Sequence, residues 1–317
     1  MEPSQPEFEL SRTRRMLRTA LGPLLLALLE DPGVAEVMLN PDGRVWIDRF
    51  DVGLVDAGLT LSSANGERIL RLVAHHVGAE IHAERPRLAA ELPGTGERFE
   101  GLLPPLVVGP TFSLRKPAGL VFSLNDYVGA GVMSALEAAL LAEAVRARLN
   151  ILVVGPTSSG KTTLVNALLA EVALTGDRVI VAEDVRELQC AAPNLVGLRT
   201  RDGVASLGDL VRSALRLRPD RIIIGEVRSA EALDLIKAWG TGHPGGVGTL
   251  HAGSSLGALL RLEQLIQEAV VTVPRALIAE TIDLIAVLSG RGAHRRLVEL
   301  SRLSGLGADG AYQLTPA

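Results

Sequence analysis

The sequence predicts an α/β protein of two domains, a smaller α+β domain followed by one whose mostly parallel sheet is covered by helices. Three observations carry this. ILVVGPTSSGKTTLVN, residues 151–166, joins four apolar residues, a glycine-bracketed loop and a helix start, which is the strand-loop-helix context of a phosphate-binding P-loop. After residue 134, short apolar runs alternate with helical patterns, as in a sheet with crossover helices. At 317 residues and 47% hydrophobic composition, the chain is long enough to bury two cores.

Taken in order, residues 8–30 have helical spacing, with Arg12, Arg14, Arg15 and Arg18 ahead of the apolar run 21–29. That run is far short of the ~20 apolar residues of a membrane helix. A helix with one solvated face is favoured over one docked on a membrane or partner. The acidic start MEPSQPEFEL does not read as a signal peptide.

Residues 34–40 and 44–48, alternating around Pro41-Asp42-Gly43, predict a β-hairpin. Residues 62–77 predict a helix closed by Gly78. His75, His76 and His82 lack companion cysteines or matching acidic spacing, so they read as helix-end or surface residues rather than metal ligands. Strands are expected at 88–92, 97–103 and 111–116, the first two joined by a turn at Pro93-Gly94-Thr95-Gly96. Proline and glycine from Pro117 to Gly131 mark a linker. The organisation is therefore an amino-terminal helix (1–30), an α+β domain (31–120), a linker (121–133) and the P-loop domain (134–317).

In that last domain, helices are expected at 134–148, from the P-loop to about 174, and at 207–217, with strands at 151–154, 178–182 and 221–224. The P-loop, Glu183-Asp184 and Glu226 each follow a strand end. Ligands of parallel sheets bind at the carboxyl ends of strands, so these residues should converge. Residues 297–317 read as one or two closing strands with a loose tail.

Hydrolysis of a nucleoside triphosphate needs a phosphate cradle, a metal, a group that activates water and positive charge on the transferring phosphoryl group. Gly155, Pro156, Thr157, Ser158, Ser159, Gly160, Lys161, Thr162 and Thr163 supply the cradle, with Lys161 reaching the β- and γ-phosphates and Thr162 ligating Mg²⁺. Glu226 is the expected water-activating residue and Glu183 the alternative. Gly225 stands where many P-loop ATPases carry a metal-binding aspartate, so Mg²⁺ would lean on Thr162, water and the Glu183-Asp184 pair. His243 and His251 bracket a glycine-rich segment, where a histidine would sense the γ-phosphate. Seven arginines, Arg199, Arg201, Arg212, Arg216, Arg218, Arg221 and Arg228, are candidates for the positive charge.

Together, GPTSSGKTT, VIVAEDVREL, LRLRPDRIIIGEVR and TGHPGGVGTLHA resemble the P-loop, acidic box, glutamate-ending strand and histidine box of the secretion ATPases of type IV, type II and pilus systems. The HPGG sequence looks most like the conjugal-transfer branch. EVMLNPDGRVWIDR and GERFEGLLPPLVVGPTFSLRKP extend the resemblance upstream. It implies a PAS-like amino-terminal domain, a RecA-like ATPase domain and a homo-hexameric ring that uses ATP and Mg²⁺. It also implies a cytoplasmic address with room for peripheral contact with the inner membrane, and channel components there as partners. By the same likeness Lys161, Glu183, Glu226, His251 and Arg115 are catalytic, and Thr162, Glu183 and Asp184 bind metal. Ser158 departs from the glycine of most relatives.

Two alternatives stand beside an ATPase that powers conjugation or type IV secretion. One is a pilus or type II assembly ATPase, against which the absence of zinc-site cysteines argues. The other is a nucleotide-gated scaffold with little turnover, for which Gly225 argues. A DNA motor is disfavoured, since net charge -4 and 3% aromatic residues offer little field or stacking surface for nucleic acid. The one cysteine, Cys190, excludes an intramolecular disulfide and suits a reducing compartment.

Overall fold

Helix α1 (Gln5–Glu30) is two helical pieces meeting at Gly22-Pro23, where Gly22 takes φ 72° and the proline removes a donor. Leu17, Leu21 and Leu25 are buried, while Arg15 and Arg18 are exposed. Among the described residues, no helix is long and apolar enough to cross a membrane. The computed structural model describes residues 5–50, 52–92, 96–117, 121–201 and 203–317, with the side chains of 5–14 outside the description. Residues 93–95 of the expected turn, 118–120 near the expected linker and the Arg12 and Arg14 side chains thus lie outside the described residues.

The chain divides into two units, 1–119 and 120–317. In the first, strands β1 (Val34–Leu39), β2 (Arg44–Arg49), β3 (Gly53–Thr60), β4 (Arg87–Glu91), β5 (Arg98–Leu102) and β6 (Thr111–Arg115) form one sheet in the order β3-β2-β1-β6-β5-β4. Every pairing in it is antiparallel. Helix α2 (Ser63–His76), capped by the Ser62 hydroxyl, buries Ile69, Leu70 and Val73 in the same core as Val37, Phe99 and Leu114. Strand β3 was not expected. It alternates half-buried and exposed positions along an edge, so its apolar signal is weak.

The second unit opens with α3 (Leu124–Gly129) and α4 (Ala135–Arg146), each started by a capping box, Ser123 with Asp126 and Ser134 with Glu137. Helix α3 occupies residues read from sequence as linker. Its eight-stranded sheet contains β7 (Ile151–Val154), β8 (Val179–Glu183), β9 (Leu195–Arg199), β10 (Arg221–Ile224), β11 (Val247–Leu250), β12 (Leu284–Ser289), β13 (Arg296–Leu306) and β14 (Tyr312–Pro316), in the order β14-β13-β12-β7-β11-β10-β8-β9. From β12 to β9 the pairings are parallel, and β13 and β14 add antiparallel edges.

Helices α5 (Lys161–Ala173), α6 (Leu207–Ala214), α7 (Glu231–Gly240), α8 (Ser255–Gln267) and α9 (Arg275–Thr281) belong to two cores, one containing Leu164, Leu168 and Ile223, the other Ile222, Leu235 and Leu262. Strands β7 and β10 are buried throughout, which is why they read as continuous apolar runs. The expected loose tail is instead β14, paired through Pro316.

Candidate functional site

Parallel register fixes the site. Val154 pairs with Leu250, and Ile224 pairs with both Ala182 and Gly248, so the residues that follow β7, β8, β10 and β11 emerge at one sheet edge. There the chain after β7 turns through residues 155–160 into α5. Gly160, the cap residue of α5, has φ 91°, a left-handed conformation that glycine accepts readily. Ser158 also lies there at φ 63°, a left-handed conformation uncommon for a residue with a β-carbon. At Gly155 a β-carbon would lie 2.5 Å from both the Leu288 carbonyl oxygen and Ser159 Oγ, so the loop is pressed against the end of β12.

Lys161 is 8% exposed, and its ammonium donates to the carbonyls of Gly155 (3.0 Å) and Pro156 (3.1 Å). It also approaches His251 Nδ1 at 3.3 Å. The other ring nitrogen, Nε2, stands 2.5 Å from Glu226 Oε1. Glu226 Oε2 accepts from Arg228 Nε at 2.6 Å and from a second guanidinium nitrogen. Thr249 holds this arrangement in place. Its hydroxyl donates to Gly225 O at 2.7 Å and its carbonyl accepts from Val227 N at 2.9 Å, tying the turn after β10 to β11. Burial and the Lys161 charge, together with Arg228, hold the His251 pKa below its ordinary value against the pull of Glu226.

The acidic pair diverges from this line. Glu183, 7% exposed, accepts from the backbone N–H groups of Glu187 and Leu188, both at 2.8 Å, and burial raises its pKa despite them. Asp184 accepts from the Thr200 hydroxyl at 3.2 Å and lies 3.5 Å from Arg228. The carboxylate beside Thr162 is that of Glu187, which accepts its hydroxyl at 3.3 Å. Among the described residues there is no cluster of three or more His, Cys, Asp or Glu that could hold a metal ion. The Thr162 hydroxyl, with the Glu187 carboxylate beside it, is the donor pair that could take part in holding an Mg²⁺, an ion commonly bound through few protein groups.

His243 falls elsewhere. It precedes β11, at the sheet edge opposite the P-loop. There Asn150 Oδ1 accepts from Gly245 N (3.0 Å) and Gly246 N (2.9 Å), and Asp177 accepts from Arg221 Nε (2.6 Å). The HPGG stretch is thus a clamp at the base of the strand, and only His251 joins the site. Of the seven candidate arginines, Arg228 reaches Glu226 and Arg221 is buried at the far edge. Arg115, at the end of β6, belongs to the first unit and is exposed. Sequence reasoning missed Glu187 and Thr249. VREL and GVGTLHA each contain the residue, but nothing local marks its partner.

The sequence profile of the family described as type II/IV secretion system protein matches residues 87–294. Conjugal transfer protein TrbB of Rhizobium radiobacter is 47% identical over 296 residues, covering 93% of this chain and 91% of that protein. Type IV secretion system protein PtlH of Bordetella pertussis is 36% identical over 315 residues, covering 87% and 92%. Among solved structures, the pilus retraction motor PilT with bound ADP superposes with a TM-score of 0.64 at 18% identity, covering 92% of this chain and 82% of that one, a likeness of fold.

Proposed function

The chain belongs to the type II/IV secretion system protein family, and from that membership we propose that it hydrolyses ATP to power a conjugative or type IV secretion machine. The observation that carries the reading is the meeting of Lys161, His251 and Glu226 at one strand edge, Nζ to Nδ1 at 3.3 Å and Nε2 to Oε1 at 2.5 Å. A phosphate-binding lysine and a carboxylate able to orient water are two of the groups that phosphoryl transfer to water uses on the protein side, and here a histidine stands between them.

In this reading, residues 155–163 cradle the phosphates through their N–H groups, and Lys161 exchanges the carbonyls of Gly155 and Pro156 for phosphate oxygens. Thr162 would hold Mg²⁺, which would neutralise phosphate charge, and Glu187 rather than Glu183 or Asp184 is the carboxylate beside the Thr162 hydroxyl. Glu226 orients the attacking water and takes its proton, with Arg228 and Thr249 fixing where its carboxylate stands. His251 links that carboxylate to Lys161. Glu183 acts through its loop, whose backbone it grips.

The finer fold reading is a RecA-like second unit and a PAS-like first unit, supported by the parallel run from β12 to β9 and the all-antiparallel first sheet. We further infer a homo-hexameric ring on the cytoplasmic side of the inner membrane, working with components of the channel. The scaffold alternative drew on Gly225. A β-carbon there would lie 3.3 Å from Glu183 Cγ, so glycine at this position answers to close packing against β8 and is not by itself an argument for a scaffold.

The test is Mg²⁺-dependent phosphate release as a function of protein concentration. A steep rise in specific activity is expected, because sites completed between subunits need assembly. Activity independent of concentration would contradict the ring, and none at any concentration would favour the scaffold.

A further inference from the structure

Arg295 lies in the turn joining β12 to β13, outside every motif read from the sequence. Its guanidinium stands over the backbone of the phosphate loop, since a β-carbon at Gly160 would be 2.6 Å from both Arg295 Cζ and Nε. Nε is buried and has no hydrogen-bond partner, and Arg295 joins none of the ion pairs among the described residues. A rigid planar cation with an unmatched donor beside a loop built for anions is matched to a phosphate.

Two more buried polar atoms without partners belong to the same neighbourhood. Ser159 Oγ lies within the loop, in a residue 0% exposed. The Tyr127 hydroxyl, in a residue 4% exposed, is near enough that the Arg295 charge opposes the rise in its pKa caused by burial.

The sheet order says which phosphate. Strands β11 and β10, which carry His251 and Glu226, lie on one side of β7, and β12 lies on the other. The reacting γ-phosphate must lie with Glu226, so the nucleoside end of the substrate leads the opposite way, toward the β12–β13 turn. We propose that Arg295 binds the α-phosphate of a nucleoside di- or triphosphate in cis, as an anchor common to ATP and ADP. The inference rests on the nucleotide reading above and adds to it a residue and a direction. A contact present in substrate and product alike lowers KM rather than raising kcat, which separates Arg295 from Glu226.

The experiment is calorimetric titration of the full chain with ADP and with ATPγS in Mg²⁺, for wild type, Arg295→Gln and Arg295→Lys, beside steady-state kinetics. Loss of one charge-assisted contact should weaken both nucleotides by roughly tenfold to a hundredfold in Arg295→Gln, with the fall in kcat/KM carried by KM. Arg295→Lys keeps the charge without the fork and should lose severalfold for both. Should Arg295→Gln fail to fold, Arg295→Lys alone decides. Unchanged ADP affinity in the variant that folds, or a loss confined to ATPγS, would overturn the proposal. Wild type that bound neither nucleotide would instead sink the nucleotide reading itself.

Discussion

At the scale of single residues, a lysine can only donate, so the 3.3 Å approach of Lys161 Nζ makes His251 Nδ1 the acceptor and leaves the imidazole proton on Nε2, facing Glu226. Burial, the Lys161 charge and Arg228 depress the His251 pKa in the folded chain. The sign follows: the stability this neutral histidine contributes is present above its unfolded pKa and lost as pH falls through the lower folded value. An NMR titration should therefore give His251 a midpoint below the ordinary histidine range, and Lys161→Met should move it upward. A midpoint above that range in wild type would contradict this electrostatic picture. Lys161, Thr162 and Glu226 were legible because each sits in a contiguous motif or directly after an apolar strand. Glu187, Thr249 and Arg295 were not, because what places them is the return of the chain from elsewhere, and no local spacing encodes that.

At the scale of elements, the segment from Gly242 to His251 reads as one glycine-rich motif yet serves two ends of β11. Its amino-terminal end is held by Asn150, which is 4% exposed, accepts from Gly245 and Gly246, and donates to Thr281 O at 2.8 Å. Trp239 closes over Gly246, its indole N–H donating to Ile222 O at 2.9 Å and its ring lying 2.1 Å from where a Gly246 β-carbon would be. Asn150→Ala would leave two buried N–H groups without an acceptor and should cost about 3 kcal/mol in urea unfolding. A change below about 0.5 kcal/mol, the usual range of surface substitutions, would contradict the clamp. Of the strands that sequence reasoning missed outright, β3 and β9 are edge strands with alternating exposure, whereas β12 was missed although five of its six residues are buried, as β7 and β10 are throughout. Helix α3 was hidden by the prolines and glycines around it, although Ser123 and Asp126 already spelled its capping box.

At the scale of the whole molecule, the two units have different sheets, one antiparallel throughout and one largely parallel. The P-loop, Glu183-Asp184, Glu226 and His251 each end or follow a strand of the second sheet and lie at its carboxyl edge, whereas His243 precedes β11 and lies at the opposite edge. Sequence reasoning put Glu226 ahead of Glu183 as the water-activating residue, and in the structure Glu226 stands beside His251 while Glu183 is turned onto its own loop. The most direct measurement compares Mg²⁺-dependent phosphate release by wild type and Glu226→Gln, with ADP binding measured on both. If Glu226 activates water, kcat falls by at least about a hundredfold while ADP affinity stays within about threefold of wild type. Glu226→Gln turning over as fast as wild type would contradict the account.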